Sequence, residues 1–156
     1  MLILSLDTAT DIATACVWRD GDALAESATR AAARPMRRPV KGVSTLDALL
    51  AGEGVEVACV DARRGEVFAA GAGLEPQAVA PEALVALVPG GVVCAGDGAI
   101  RYRDRLAGLA IPPDDSPLHV PWARRHAALA ETAGPPDPVY LRDPDADRAL
   151  AARAAS

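Results

Sequence analysis

The sequence predicts an α/β fold in which one structural device, a short buried strand with an acidic tip that turns and returns, occurs twice. Two stretches carry the device, and helix punctuation between and after them supplies the α half. In the first, Met1-Leu2-Ile3-Leu4-Ser5-Leu6 is apolar enough for a buried strand and delivers Asp7 at its end, with the hydroxyls of Thr8 and Thr10 close behind. Apolar alternation over residues 12–18 then doubles back, and Asp20-Gly21 turns the chain into a third strand over residues 23–27. In the second, residues 55–60 form a near-continuous apolar run interrupted only by Glu56, ending in Asp61. Asp61-Ala62-Arg63-Arg64-Gly65 is a turn, and residues 66–70 return as a strand.

Between the two devices, residues 29–41 are rich in Ala and Arg, broken by Pro35 and Pro39, and without helical period. The basic run Arg30, Arg34, Arg37, Arg38 and Lys41 suits a solvated connector better than a phosphate patch. Ser44 is a good N-cap, Asp47 complements the helix dipole, and Leu46, Leu49 and Leu50 share one face of a short helix that Gly52 stops. Pro81 suits the first position of a helix over residues 82–88, ended by Gly90-Gly91. Residues 92–95 read as a short strand ending in Gly96-Asp97-Gly98. Residues 100–106 and 122–133 read as helices, 112–117 as a Pro-rich loop, and 143–156 as an acidic turn with a frayed helix.

Composition narrows the function classes. A chain of 156 residues with 51% hydrophobic content builds one compact domain or two small lobes. With only 3% aromatics the core must be aliphatic and its helix faces shallow. A net charge of −5 opposes binding to nucleic acid or an anionic membrane by this chain alone. No apolar run approaches the roughly 20 residues of a spanning helix, and the N-terminal residues do not form a signal sequence, so the expected location is cytoplasmic. Cys16, Cys59 and Cys94 lie in apolar runs at neither metal nor redox spacing and are expected as reduced core residues.

Chemistry is sparse. His119 sits in a loop and His126 on a helix among arginines, without a metal-ligand partner at suitable spacing, and both are expected to face solvent. No serine sits in a nucleophile elbow and no cysteine is matched with a histidine. Asp7, Asp61 and Asp97 are the acids at strand ends where acid–base or metal work is plausible. Each is also explained as a hairpin corner capping backbone N–H groups. Gly96-Asp97-Gly98 suits either a tight turn or a close approach to phosphate, and it has neither Walker-type nor dinucleotide-type spacing.

Five blocks occur in one order: Asp7-Thr8-Ala9-Thr10, Gly42-Val43-Ser44-Thr45-Leu46, Asp61-Ala62-Arg63-Arg64-Gly65-Glu66-Val67, Gly96-Asp97-Gly98 and Pro138-Val139-Tyr140-Leu141-Arg142. Together they resemble the TsaB (YeaZ) family, and the resemblance covers most of the chain. It implies a ribonuclease-H-like fold of the actin-like ATPase (ASKHA) class with two similar lobes. Residues 1–50 correspond to the first lobe, 51–142 to the second and 143–156 to a tail. That family is a non-catalytic paralogue of the TsaD transferase, and both act in tRNA modification, making threonylcarbamoyladenosine. In the family the first three strands are followed by a long helix, a strand and a Gly-Pro-Gly-Ser-Phe-Thr-Gly loop opening a second helix. Here these are missing, with the junction at about residues 30–39, so the first lobe is truncated.

The resemblance implies a scaffold rather than an enzyme, with no cofactor of its own and ATP with magnesium only at a composite interface. Its implied partners are a TsaD-type transferase, a TsaE-type ATPase and a second copy of the chain, although the missing helices form the family's pairing surface. Asp7, Thr8, Thr10, Asp61, Gly96, Asp97 and Gly98 correspond to a vestigial nucleotide loop. Arg63, Gly65, Glu66, Tyr140 and Arg142 are the residues expected to set partner geometry, and Arg63 and Glu66 also suit a pair across their own turn. Two alternatives stand beside the scaffold: an ASKHA-type small-molecule kinase or ATPase, and an inactive truncated paralogue. The superfamily's kinases place glycine after the first Asp, where this chain has Thr8-Ala9. Loss of the covering helix also implies that one face of the first sheet must find other cover, with lower stability or self-association as the consequence.

Overall fold

The computed structural model describes residues 1–7, 9–10, 12–29, 41–135 and 141. They form a mixed α/β structure with two sheets. The first sheet is an antiparallel meander of β1 (Leu2–Asp7), β2 (Ala13–Arg19) and β3 (Asp22–Thr29) in the order β1-β2-β3. Its β2–β3 turn carries positive φ at Asp20 (49°) and Gly21 (100°), the backbone twist that a two-residue hairpin requires. Residue pairs Leu4↔Val17 and Asp7↔Thr14 set the register, with an irregularity at Val17/Trp18.

Alternation gives this sheet two unlike faces. Ser5, Asp7, Thr14 and Cys16 are buried on one, beneath the helix α4 (Ala123–Ala130), which contacts both β1 and β2. Leu2, Leu4 and Leu6 project from the other and are 62%, 48% and 45% exposed. The leucine face therefore has no cover among the described residues.

The second sheet has the order β6-β5-β4-β7. It comprises β4 (Val57–Asp61), β5 (Val67–Gly71), β6 (Leu74–Val79) and the two-residue β7 (Cys94–Ala95). β4, β5 and β6 repeat the antiparallel meander, and β7 adds to β4 in parallel, pairing Val57 with Cys94. Both faces of this sheet are covered. Val57, Cys59, Val67 and Ala69 pack with Leu84 of α2 (Pro81–Leu87), Val88 and Leu106. Ala58, Val60 and Ala70 pack against Leu46 and Leu49 of α1 (Thr45–Leu50). α1 in turn touches α4 and so links the two sheets.

Local sequence explains these elements. Ser44 caps α1, its Oγ accepting from the Leu46 N–H at 3.1 Å. Pro81 opens α2, where its missing N–H costs nothing. Glu26 of β3 accepts from the Arg124 N–H at 2.8 Å and pairs with the Arg124 guanidinium, serving the N-terminus of α4 from another element. Thr14 Oγ1 donates to the Pro121 carbonyl at 3.0 Å, tying β2 to the entry of α4. Thr14→Val preserves shape but strands that buried carbonyl, so a loss of about 1–2 kcal/mol is expected in urea unfolding.

Several sequence expectations change. The structure adds a strand, β6, over residues 74–79, a segment the sequence reading leaves unassigned and one that contains Pro76. β6 lies at the edge of its sheet, a position that tolerates a missing donor. The helix expected from residue 100 begins at Asp97 as α3 (Asp97–Arg101), followed by a 3-10 turn at Arg103–Arg105. α4 is shorter than the expected 122–133. All three cysteines are free and buried. Among the described residues no helix is long and apolar enough to cross a membrane.

Candidate functional site

Asp7 stands at the end of β1, and its carboxylate is engaged on both oxygens. Oδ1 accepts from the Ala9 N–H at 2.9 Å, and Oδ2 accepts from Thr45 Oγ1 at 2.7 Å. His126 Nε2 of α4 also lies 2.9 Å from Oδ2, outside good hydrogen-bond alignment. Both side chains are buried, 4% exposed for Asp7 and 6% for His126. Burial pushes the Asp7 carboxyl upward, but His126, Thr45 and the Ala9 N–H together outweigh it and hold the group below its ordinary range. β1, α1 and α4 thus meet on one carboxylate. Thr10 Oγ1 turns back on its own loop, donating to the Ile12 carbonyl at 3.0 Å and lying 3.2 Å from its N–H. Thr8 lies outside the described residues.

The second acidic tip is built the same way from different partners. Asp61 Oδ1 accepts from the Arg63 N–H at 2.9 Å and from the Tyr102 hydroxyl at 3.0 Å. Its Oδ2 faces Arg63 Nη1 at 3.3 Å and Arg101 Nε at 3.5 Å, and the side chain is 5% exposed. The turn that follows is tight, with the Glu66 N–H donating to the Arg63 carbonyl at 3.1 Å. Arg63, Arg64 and Gly65 all take positive φ, at 63°, 57° and 80°. Gly65 suits that conformation and the two arginines do not, so the turn holds two exposed guanidinium side chains at a local backbone cost. Arg105 steadies it from outside, donating to the Gly65 carbonyl at 3.3 Å while forming a two-point pair with Glu82.

The Gly96-Asp97-Gly98 segment sits against β4. Asp97 Oδ1 accepts from the Asp61 N–H at 3.0 Å. A Cβ on Gly96 would lie 2.2 Å from the Cys59 carbonyl oxygen, and one on Gly98 would lie 2.8 Å from the Val60 carbonyl carbon. These glycines admit the chain's own backbone to a close approach. Asp61 and Asp97 are thereby brought together, whereas Asp7 is engaged by α1 and α4. Tyr140 and Arg142 lie outside the described residues.

Both histidines depart from the solvent-facing expectation. His119 and His126 are each 5% exposed. His119 Nδ1 lies 3.1 Å from both the N–H and the carbonyl oxygen of Gly96, and Nε2 lies 3.2 Å from the Pro112 carbonyl. Their partners are 7, 23 and, for His126–Asp7, more than a hundred residues away in sequence, beyond any spacing rule. Sequence reasoning likewise missed Thr45, Tyr102 and Glu26, whose partners become visible only when the sheets are assembled. Among the described residues no three His, Cys, Asp or Glu side chains converge to hold a metal ion.

No protein-family model matches this chain, and none of the curated proteins matches it significantly.

Proposed function

We propose that this chain is a non-catalytic scaffold subunit of the tRNA threonylcarbamoyladenosine biosynthesis complex, stabilising a TsaD-type transferase in the cytoplasm. In this reading it has a two-lobe ribonuclease-H-like fold of the actin-like ATPase class with a truncated first lobe. The five ordered motifs motivate the family. The observation that carries a binding role is the open leucine face of the first sheet, where Leu2, Leu4 and Leu6 are about half exposed in one line along β1. Each leaves roughly 1 kcal/mol of apolar burial unrealised, which a partner surface would recover.

Two further features support the reading. The meander β1-β2-β3 and the meander β4-β5-β6 each end their first strand in a carboxylate, as a duplicated lobe would. The carboxylates of Asp7 and Asp61 are nearly buried and engaged by their own chain, which suits architecture better than proton transfer to a substrate.

The test is co-purification with the cognate TsaD-type transferase, followed by light scattering of the chain alone and in complex. A one-to-one complex is expected, and Leu4→Glu should weaken it by about tenfold or more, because a carboxylate cannot enter an apolar contact unpaired. A transferase that never co-purifies, or one indifferent to Leu4→Glu, would overturn the reading.

A further inference from the structure

Alongside the part of α4 that carries His126, β2, the end of α1 and α4 border an open cleft of about 490 Å³ lined by Trp18, Ala51, Arg124, Arg125, Ala128 and Leu129. Its two arginines have different surroundings. Arg124 is neutralised by Glu26 and lies over the Trp122 ring, 4.9 Å from its centroid. Arg125 has only a long backbone contact, its Nη1 lying 3.4 Å from the Val120 carbonyl, and no carboxylate within ion-pair reach among the described residues. The nearby acids are otherwise engaged: Glu26 on Arg124, and Glu131 at the rim accepting from Trp18 Nε1 at 3.1 Å.

The position of Arg125 is built rather than incidental. Gly52 ends α1 against its guanidinium, and a Cβ there would lie 3.1 Å from Nη1. Burial and the neighbouring Arg124 lower its proton affinity from the ordinary value, against a smaller opposing pull from Glu26. A half-buried guanidinium beside a second one, with four of its five N–H donors unused by the described residues, offers an anion a charged and directional partner. Trp18 supplies a flat apolar wall beside it, and Ala51 and Leu129 add aliphatic lining.

We propose that this cleft binds a small aromatic anion, its planar body against Trp18 and its carboxylate or phosphate on Arg125. The volume falls in the range of small-molecule sites. Guanidinium suits either headgroup, since both accept two parallel N–H bonds. The site lies on the covered side of the first sheet, away from the leucine face, and does not depend on the scaffold reading.

Isothermal titration of the full chain tests this with four probes: 2-naphthoate, its neutral amide, AMP and adenosine. One-site binding of at least one of the two anions at about 1 mM or tighter is expected, with its neutral counterpart about tenfold weaker. The tighter of the two anions identifies the headgroup. Two variants separate the site from the fold. Arg125→Gln removes the unpaired charge and should abolish binding while leaving the thermal midpoint unchanged or higher. Ala128→Glu, one turn along an exposed part of α4, places a carboxylate near Arg125 and should abolish binding by internal competition. Absence of saturable binding below about 10 mM, equal binding of the neutral probes, or full binding by Arg125→Gln would overturn the proposal.

Discussion

Gly96→Ala is expected to unfold the protein. Gly96 has φ 126° and ψ 171°, a region that only glycine occupies readily. The added methyl would also lie 2.2 Å from the Cys59 carbonyl oxygen and 3.1 Å from Leu49 Cδ1. The first obstacle is backbone of the central strand β4, which cannot swing aside as a side-chain end can. Relief requires α3 to separate from β4, opening the aliphatic core around Cys59, Cys94 and Ala99. A loss of about 4 kcal/mol or more is expected, a large part of the stability of a small domain. Gly54→Ala is the control. Gly54 also has positive φ, 74°, but nothing within 4 Å of its would-be Cβ, so about 1 kcal/mol of backbone strain is expected there. Urea unfolding of the two variants checks this, and equal midpoints would remove the packing role assigned to Gly96.

The same glycine shows what the sequence could and could not reveal. A Gly-Asp-Gly after a short strand is compatible with a turn, a phosphate loop or a close helix–strand contact, because each needs unusual backbone angles or a missing side chain. Only the position of β4, some 35 residues earlier in the chain, distinguishes them. Local signals were legible where the physics is local: the Asp20-Gly21 turn, the Ser44 cap, Pro81 at the start of α2 and the alternation that defines β2. Strand β6 was hidden because Pro76 reads as a breaker unless its edge position is known. The histidines were misplaced for a related reason. Their polar partners are a carboxylate and backbone groups contributed by other elements, so burial is compensated in a way that composition cannot display.

The resemblance implied an uncovered face on the first sheet that must find other cover, and among the described residues the leucines of β1 are exposed. The two sheets make the asymmetry concrete. The second sheet gains a parallel strand and apolar cover on both faces, while the first has three strands and cover on one. An apolar ridge beside an edge strand is a liability for a protein that works alone, and a binding surface for one that does not.

Asp7→Ala separates clamp from catalyst. Asp7 joins three elements through Ala9, Thr45 and His126, and its removal leaves the Thr45 hydroxyl without its acceptor and the buried His126 ring without the carboxylate 2.9 Å from it. Losing the acceptor of two hydrogen bonds to a charged, nearly buried carboxylate costs about 2–3 kcal/mol. Asp7→Asn should fall between wild type and Asp7→Ala, since an amide oxygen still accepts from the Ala9 N–H. The pH dependence has a definite sign. The folded-state carboxyl is held below its ordinary value, so its stabilisation is complete above the unfolded-state value near 3.8 and is lost as pH falls through the depressed folded value. Thermal midpoints of wild type should therefore decline as pH drops below about 4, and the Asp7 variants should show a shallower decline from a lower starting point. A catalytic carboxylate at this position would behave differently, because charge removal there abolishes turnover while commonly sparing or raising stability. Parallel pH–melting curves for wild type and Asp7→Asn would refute the clamp, whereas converging curves at low pH would place the role of Asp7 in holding β1, α1 and α4 together.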